Sequence, residues 1–254
     1  MCVSIITVTK NNHDGLLATY ESLLMQTSVS FEWIIVDSVS TDATCKLVEN
    51  KIKRTIKNFS YIREPDEGIF DGMNKGISAA SNNFIIFMNA GDMFATKDVI
   101  DNLNKFIKFN TDADLIYGNS YELNDKNELL LKRAKARPNV KYGMIAHHQA
   151  MCFKKETLGM YNLNYKLAAD YERVCFLLSS SKKVIYIDLV ICIFERGGVS
   201  QTNIKKLMLE YQEILKNNFE LGKIHTTFLV IRKVLLHVLR IKLTNLYDFL
   251  LFQK

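Results

Sequence analysis

Residues 84–92 read FIIFMNAGD, an apolar run that ends in a short polar turn. So short and apolar a run is typical of a strand that is buried on both faces of a sheet. Gly91 lets the backbone turn closely and leaves room for a ligand. The carboxylate of Asp92 could then anchor Mg²⁺ or Mn²⁺ beneath a diphosphate. Taken alone, however, the turn favours the simpler interpretation that Asp92 caps it.

The chain upstream of this turn alternates predicted strands with predicted helices. The strands are 3–9, 33–36 and 59–62, and the helices begin near Asp14 and Thr41 and cover 73–80. This alternation predicts an α/β fold with a Rossmann-like, mostly parallel central sheet. Ligands of such sheets bind beyond the carboxyl ends of the strands, so the polar residues there are the first candidates for a site. These residues are Asn11, Asp37, Asp66 and Asp92.

Downstream of Asp92 the pattern becomes mixed. A helix capped by Thr96 is expected to reach residue 109, and a second helix covers 169–178. Strands are expected at 115–123, 129–133, 148–154, 184–187 and 190–194. The pattern predicts a mixed extension of the same sheet, in one domain that ends near residue 200.

Two features near the strand ends allow more than one interpretation. Asp37 could recognise a base or ribose, or could close an Asx turn through Ser38 and Ser40. In residues 65–76, PDEGIFDGMNKG, the two glycines four apart share one helix face. That bare face could lie against the sheet or a ligand, with Asn74 and Lys75 reaching phosphate oxygens or a neighbouring loop.

Composition excludes several classes of protein. The chain has 254 residues and a net charge of +6. Its five cysteines are scattered along the chain, which favours reduced thiols over a disulfide framework or a zinc site. Neither a Gly-x-Gly-x-x-Gly nor a P-loop motif is present. The N-terminus lacks a secretory pattern, so a cytoplasmic location is expected. No nucleic-acid partner is expected.

The motifs together resemble family-2 glycosyltransferases of the GT-A fold, in particular those of lipopolysaccharide, colanic acid and capsule assembly. The matching segments, in chain order, are SIITVTKN at 4–11, IVDSVSTD at 35–42, DEGIFDGMNKG at 66–76 and FMNAGD at 87–92. The resemblance covers residues 3–200. It implies a catalytic domain over 1–200, in which 1–95 bind the nucleotide-sugar and 96–200 face the acceptor.

The resemblance also assigns roles to residues. Asp92 matches the metal-binding acid, Asp170 the general base, and Glu172 is the reserve base. The donor, a UDP-sugar, would contact Thr9, Asn11, Asp37, Ser38, Asp66, Asn74, Lys75, Asn89, Ala90, Gly91 and Arg196. The acceptor would lie near His147, His148 and Gln149. The chain departs from the family in having Asn89 and Ser38 where many members have acids.

Each of these roles has a structural alternative. Asp170 could be a helix-start acid stabilised by the helix dipole. The two histidines could be purely structural, and Arg196 could either bind the diphosphate or face solvent. The lost acids keep open a catalytically weak nucleotide-sugar-binding partner subunit. A nucleotidyltransferase is less favoured, because residues 9–12 do not supply its glycine-rich basic loop.

The tail, residues 201–254, is predicted to be helical, basic and amphipathic. Residues 204–254 contain nine Lys or Arg and four Asp or Glu, so this stretch carries most of the net charge. From 228 to 252 the polar residues recur every three or four positions. They are Lys233, His237, Arg240, Thr244 and Asp248. Residues 224–252 could contact the cytoplasmic face of the inner membrane, the catalytic domain or a second subunit of a homodimer. The resemblance favours the membrane, because the implied acceptor is a glycan or a saccharide linked to polyprenyl diphosphate.

Overall fold

The computed structural model describes residues 2–124, 128–136, 139–180, 183–195, 203–219 and 221–244, together with 246 and 248. Strands β1 to β9 span Val3–Thr9, Phe31–Asp37, Phe59–Arg63, Phe84–Phe87, Met93–Phe94, Leu115–Leu123, Leu129–Lys132, Met151–Lys154 and Val184–Glu195. Helices α1 to α9 span His13–Leu24, Thr44–Leu47, Lys53–Thr55, Ile69–Ala79, Val99–Phe109, Lys155–Leu158, Ala169–Ser179, Ile204–Phe219 and Lys223–Lys242. A π-helical turn, Val48–Ile52, joins α2 to α3, and 3₁₀ turns lie at Val140–Tyr142 and His148–Ala150.

The strands form one sheet in the order β3-β2-β1-β4-β8-β6-β9-β5, with β7 paired to β6. The four strands from β3 to β4 are parallel, and every residue of β1 and β2 is buried. Beyond β4 the sheet is mixed, because β8 runs antiparallel to both β4 and β6. The predicted α/β fold with a mixed extension is therefore confirmed.

The last strand differs from its prediction. Residues 184–187 and 190–194 were expected as two strands, but β9 is continuous from Val184 to Glu195. The ladder between β6 and β9 shifts register around Gly118. A side chain at Gly118 would overlap the Leu189 carbonyl oxygen, so this glycine allows the two strands to stay paired through the irregularity.

Two predicted helix caps are wrong. The cap of α1 is Asn12 rather than Asp14, and its Oδ1 accepts a hydrogen bond from the Gly15 amide at 3.1 Å. Thr96 does not cap α5, which begins at Val99 with Asp98 as its cap residue. Asp98 makes no side-chain cap bond, and the Ile100 amide donates instead to Gln26 Oε1 at 3.2 Å, so a residue of another element supplies the bond that a cap normally gives.

Helix α4 packs closely on β1. A Cβ at Gly76 would overlap Ile6 Cγ2, and a Cβ at Gly72 would lie 3.2 Å from Val8 Cγ1. The two glycines therefore serve the close approach of helix to sheet, as one of the two interpretations predicted.

The C-terminal helices pack on the rest of the chain. The rings of Tyr211 in α8 and Tyr171 in α7 have centroids 4.2 Å apart. Arg232 of α9 donates a hydrogen bond to the Tyr142 carbonyl oxygen at 3.1 Å. Among the helices that the structure describes, none is long and apolar enough to cross a membrane.

Candidate active site

The turn that follows β4 has a fixed backbone geometry. The Asp92 amide donates a hydrogen bond to the Asn89 carbonyl oxygen at 2.9 Å, and Gly91 has φ of 110°. A positive φ at the third position is the signature of a type II turn, which requires glycine there. The turn therefore fixes the backbone from which Asn89 and Asp92 project.

Helix α1 fixes this turn from outside. The Asn12 side-chain amide donates to the Ala90 carbonyl oxygen at 3.0 Å. The Thr19 hydroxyl donates to the Asp92 carbonyl oxygen at 2.8 Å and accepts from the Gly91 amide at 3.1 Å. The residue that caps α1 therefore also positions the turn, a second role that no local sequence pattern indicates.

Asp92 and Asn89 offer oxygen ligands. Asp92 is 5% exposed, and its Oδ2 accepts a hydrogen bond from Gln149 Nε2 at 2.8 Å. Asn89 Oδ1 is buried and accepts no hydrogen bond from any described residue. Such unsatisfied oxygens are uncommon in folded proteins and call for an explanation. A carboxylate and an amide oxygen on one turn fit Mg²⁺ or Mn²⁺, with a substrate diphosphate completing its coordination.

No fuller metal centre is visible in the described part of the chain, where no three His, Cys, Asp or Glu side chains group as ligands. Asp92 and Asn89 are therefore the residues that would hold a divalent ion.

The loops that follow β1 and β2 are hydrogen bonded to each other. Asn11, at φ of 50°, donates its amide to Ser40 Oγ at 2.8 Å and accepts from the Thr41 amide at 2.7 Å. Val39 lies at φ of 52°, an unusual conformation for a β-branched residue. Such strain concentrates at functional sites. The Thr9 hydroxyl, at the end of β1, is buried and has no hydrogen-bond partner among the described residues.

Asp37 makes the Asx-type contacts that one interpretation predicted. Its fully buried carboxylate accepts from the Ser40 amide at 2.9 Å and from the Tyr61 hydroxyl at 2.7 Å, and Arg63 Nε lies 3.6 Å away. Burial and the bond to Asp37 raise the pKa of the Tyr61 phenol. The Ser38 amide donates to the Thr9 carbonyl oxygen at 3.0 Å. Asp37 thus holds the loop in which Ser38 lies.

Three other donor-side candidates bond to neighbouring loops. Asn74 pairs with the backbone of Tyr161 in both directions, at 2.7 and 3.0 Å. Lys75 donates to the Pro65 carbonyl oxygen and lies 3.2 Å from Glu64 Oε1. Asp66 accepts from the Gly68 amide at 3.1 Å. Arg196 falls outside the described residues.

The three acceptor-side candidates point to three different places. His148 Nε2 lies 2.7 Å from the Tyr161 hydroxyl, and burial lowers the pKa of this histidine to about 3, so it is neutral. His147 Nε2 lies 2.8 Å from Lys132 Nζ, and its Nδ1 lies 2.9 Å from Ser120 Oγ. Gln149 contacts Asp92, which its predicted acceptor-side role did not anticipate.

Asp170 is the second residue of α7. Its Oδ1 accepts a hydrogen bond from the Tyr171 amide at 2.8 Å. A helix start normally lowers a carboxyl pKa. Here burial outweighs both that amide and the positive charge of Lys233, and raises the pKa of Asp170 to about 6. A carboxylate with this pKa can accept a proton near neutral pH.

Burial shifts the pKa of two further groups, Glu172 of α7 and Tyr161. Burial also raises the pKa of Glu172, the reserve base, and Glu172 Oε2 is buried with no hydrogen bond from the described residues. Burial, then the charge of Asp170, raise the pKa of the Tyr161 hydroxyl. That hydroxyl contacts His148, whose neighbour in the chain, Gln149, bonds to Asp92.

Comparison with known sequences agrees with these observations. Residues 4–169 match the model of a family described as glycosyl transferase family 2. A PGL/p-HBAD biosynthesis glycosyltransferase of Mycobacterium bovis is 29% identical over 221 residues, covering 82% of each chain. An uncharacterized glycosyltransferase of Mycobacterium tuberculosis is 26% identical, over 78% of this chain and 76% of the relative.

Comparison with solved structures supports the fold. S. aureus TarS 1-349 in complex with UDP-GlcNAc superposes with a TM-score of 0.68 at 17% identity, over 95% of this chain and 74% of that one. The mannosyltransferase PcManGT from Pyrobaculum calidifontis, in complex with GDP-Man and Mn²⁺, gives 0.67 at 16% identity, over 91% and 68%.

Proposed function

Because the chain belongs to glycosyl transferase family 2, we propose that it is an inverting, metal-dependent transferase that uses a UDP-sugar. The acceptor is a glycan or a saccharide linked to polyprenyl diphosphate, in bacterial surface polysaccharide biosynthesis. The main support is the type II turn that carries both the buried Asp92 and Asn89, whose side-chain oxygen has no hydrogen-bond donor among the described residues. This proposal needs a negatively charged diphosphate to bind at that turn.

The donor side is held by the loops at the carboxyl ends of β1, β2 and β4. Asn89 and Asp92 would hold Mg²⁺ or Mn²⁺, which when bound supplies Lewis-acid stabilisation of the charge on the departing diphosphate. Gln149 donates its hydrogen bond to Asp92 and so fixes the direction of that carboxylate. The linked loops of Asn11 and Ser38 form the wall for the nucleoside.

The acceptor side depends on Asp170. Its carboxylate takes the proton of the acceptor hydroxyl while that oxygen attacks the anomeric carbon from the side opposite the diphosphate. The carbon–oxygen bond to the diphosphate breaks as the new glycosidic bond forms, so the anomeric configuration inverts. Neutral His148 and the Tyr161 hydroxyl hold the neighbouring wall in place.

Thermal unfolding with nucleotides tests the donor proposal. UDP with Mn²⁺, at a hundredfold excess over Kd, should stabilise the protein by about 2.7 kcal/mol. For a chain of this length that corresponds to an increase in Tm of about 5–10 °C. UDP without metal should give a much smaller increase, because the negative carboxylate of Asp92 repels the diphosphate when no cation lies between them.

Two comparisons control this measurement. GDP with Mn²⁺ tests which nucleobase is recognised. An increase in Tm equal to that with UDP would contradict uridine as the donor nucleoside. UDP-sugars that bind with Mn²⁺ but release no UDP would instead support the alternative of a catalytically weak partner subunit, which the replacement of a family acid by Asn89 favours. If no nucleotide changed the Tm, both the transferase and the nucleotide-sugar-binding partner subunit would be contradicted.

The exposed face of α9 supports a lipid-linked acceptor. Ile224, Phe228, Ile231, Leu235 and Val238 recur at alternating spacings of four and three, and they are between 42% and 90% exposed. We call these five residues the apolar stripe. Residues 204–254 also have nine Lys or Arg against four Asp or Glu. An exposed apolar stripe on a basic helix suits a surface of anionic lipid.

Sedimentation with vesicles tests this contact. The wild-type chain should bind vesicles of phosphatidylglycerol and phosphatidylcholine more tightly than vesicles of phosphatidylcholine alone. Each buried Leu or Phe contributes about 1.5–3 kcal/mol, so the double variant Phe228→Glu, Leu235→Glu should bind at least about 100-fold more weakly.

The matched control is Phe109→Glu, which replaces an 82% exposed side chain at the end of α5 and should bind vesicles like the wild type. Equal binding by the double variant would contradict the membrane proposal. A concentration-dependent dimer that only the double variant disrupts would make the apolar stripe a subunit interface instead.

A further inference from the structure

The C-terminal helices contact the segment that carries Asp170. We infer that Glu210 of α8 and Lys233 of α9 are positioning residues for Asp170, and set the orientation and charge environment of its carboxylate. The inference rests on the proposed function only in calling Asp170 the base. It gives the tail a role inside the active site, in addition to any contact of the apolar stripe.

Glu210 builds the start of α7. Its side chain is 6% exposed, and its Oε1 accepts a hydrogen bond from the Lys166 amide at 2.9 Å. Its Oε2 accepts from the amides of Leu167 and Ala168, both at 2.9 Å. A buried carboxylate is costly unless it is hydrogen bonded, so three converging N–H donors are a strong constraint.

This constraint acts just before a helix start that has no side-chain cap. Ala168 is the cap residue of α7 and has no side chain that could accept a helix N–H. Short polar side chains normally supply that bond. The carboxylate of Glu210, from a helix more than forty residues later, binds the amides just before the helix instead. Asp170 follows two residues after Ala168, so its backbone direction depends on Glu210.

Lys233 approaches the same helix from α9. Its Nζ lies 3.0 Å from the centroid of the Tyr211 ring and 5.1 Å from that of Tyr171. Tyr171 directly follows Asp170. Burial lowers the pKa of Lys233 to about 7, although the negative charge of Asp170 opposes this. The two aromatic faces hold the ammonium group where water is scarce.

The groups that face Asp170 come from several elements. Lys233 lowers the pKa of Asp170 and Glu210 raises it, after burial as the largest effect. The hydroxyls of Tyr161 and Tyr211 and the thiol of Cys175 also interact with its charge, and burial raises the pKa of all three. Of these groups, Lys233 and Glu210 carry opposite charges, so their removal should have opposite effects.

The inference can be tested by following the carboxyl-carbon NMR signal of Asp170 in the full chain as the pH is changed, with no ligand added. The protein is labelled with ¹³C-aspartate, and the Asp170 signal is assigned by its loss in Asp170→Asn. The wild type should titrate near pH 6. Lys233→Met keeps the apolar stem and should raise the midpoint by about one pH unit, since it removes a nearby opposite charge. Lys216→Met, on an exposed part of α8, should leave the midpoint unchanged.

Glu210→Gln should lower the midpoint, because it removes a nearby negative charge. The same variant should also expose the Leu167 and Ala168 amides to faster exchange with D₂O, because a Gln amide cannot accept all three bonds. Glu21→Gln, at an exposed position of α1, should change neither the midpoint nor the exchange.

An Asp170 midpoint that stays the same in both Lys233→Met and Glu210→Gln, or that moves in the same direction in both, would overturn the inference. This titration does not depend on activity. Full transfer activity in Asp170→Asn would therefore contradict Asp170 as the base. If Asp170→Asn is inactive but the two tail variants leave the Asp170 midpoint unchanged, only the positioning role of Glu210 and Lys233 is contradicted.

Discussion

Replacing Asp170 with asparagine should lower the rate constant of sugar transfer by about 10³-fold, within the range that a general base contributes. Asparagine keeps the size of the side chain but cannot take the proton of the acceptor hydroxyl. Donor binding should be unchanged, since the proposed donor site lies at the carboxyl ends of β1, β2 and β4. UDP release and UDP–Mn²⁺ binding, measured on the same preparation, separate the two effects.

The pH dependence of the transfer rate of the wild type should report the titration of Asp170. The pKa of Asp170 is raised to about 6, so below pH 6 the base is protonated and the transfer rate should fall about tenfold per pH unit. Because this pKa lies above the unfolded value of 3.8, the carboxyl favours the folded state most below pH 4. That contribution is lost as the pH rises through 6. Asp170→Asn should therefore lose activity without losing stability at neutral pH.

Glu172→Gln is the matched control for this prediction. Its carboxylate lies two residues further along α7, and its pKa is also raised by burial. We expect near-normal transfer in Glu172→Gln. If Glu172→Gln were inactive while Asp170→Asn retained turnover, the reserve base would be the true one.

Replacing Asp92 with asparagine should also lower transfer by about 10³-fold, since stabilisation of the leaving group by a bound cation is worth several kcal/mol. Unlike Asp170→Asn, this variant should lose the stabilisation by UDP with Mn²⁺. Asparagine can still accept the hydrogen bond from Gln149, so the turn itself should persist. Thermal unfolding with and without UDP–Mn²⁺, followed by UDP release, measures both losses.

The control for Asp92→Asn is Asp101→Asn. Asp101 lies on α5 in an ion pair with Lys105 at 2.6 Å, and neither residue adjoins the type II turn. This variant should keep both activity and nucleotide binding. Full activity of Asp92→Asn in the presence of EDTA would show that the turn does not hold a catalytic cation.

The sequence predicts the parallel half of the sheet well, because β1, β2 and β4 are short segments rich in Ile, Val and Phe that lead into polar residues. It also predicts the turn around Asp92, since glycine before an acid at a strand end has few alternative structures. Asp170 is found only through the family resemblance. A helix-start acid alone gives no sign that burial will outweigh the helix dipole.

The contacts that position these groups were not predictable in the same way. Gln149 reaches Asp92 across 57 positions of the chain, and Asn12 reaches Ala90 across 78. No local sequence pattern predicts either pair. Hydrophobic periodicity indicates which face of an element is buried, but not which hydrogen-bond partner a polar side chain has. For the same reason the contacts of Glu210 and Lys233 with α7 could not be predicted, because in the sequence both residues look like ordinary charged residues of an amphipathic tail.

The bonds from Glu210 to residues 166–168 have a consequence for biosynthesis. They join parts of the chain 42 to 44 positions apart, so the start of α7 cannot be completed until α8 has been synthesised. Contacts between distant parts of a chain carry a larger loop-closure cost and form late in folding. A nascent chain that still lacks α8 therefore lacks the three hydrogen bonds that hold the segment in front of Asp170.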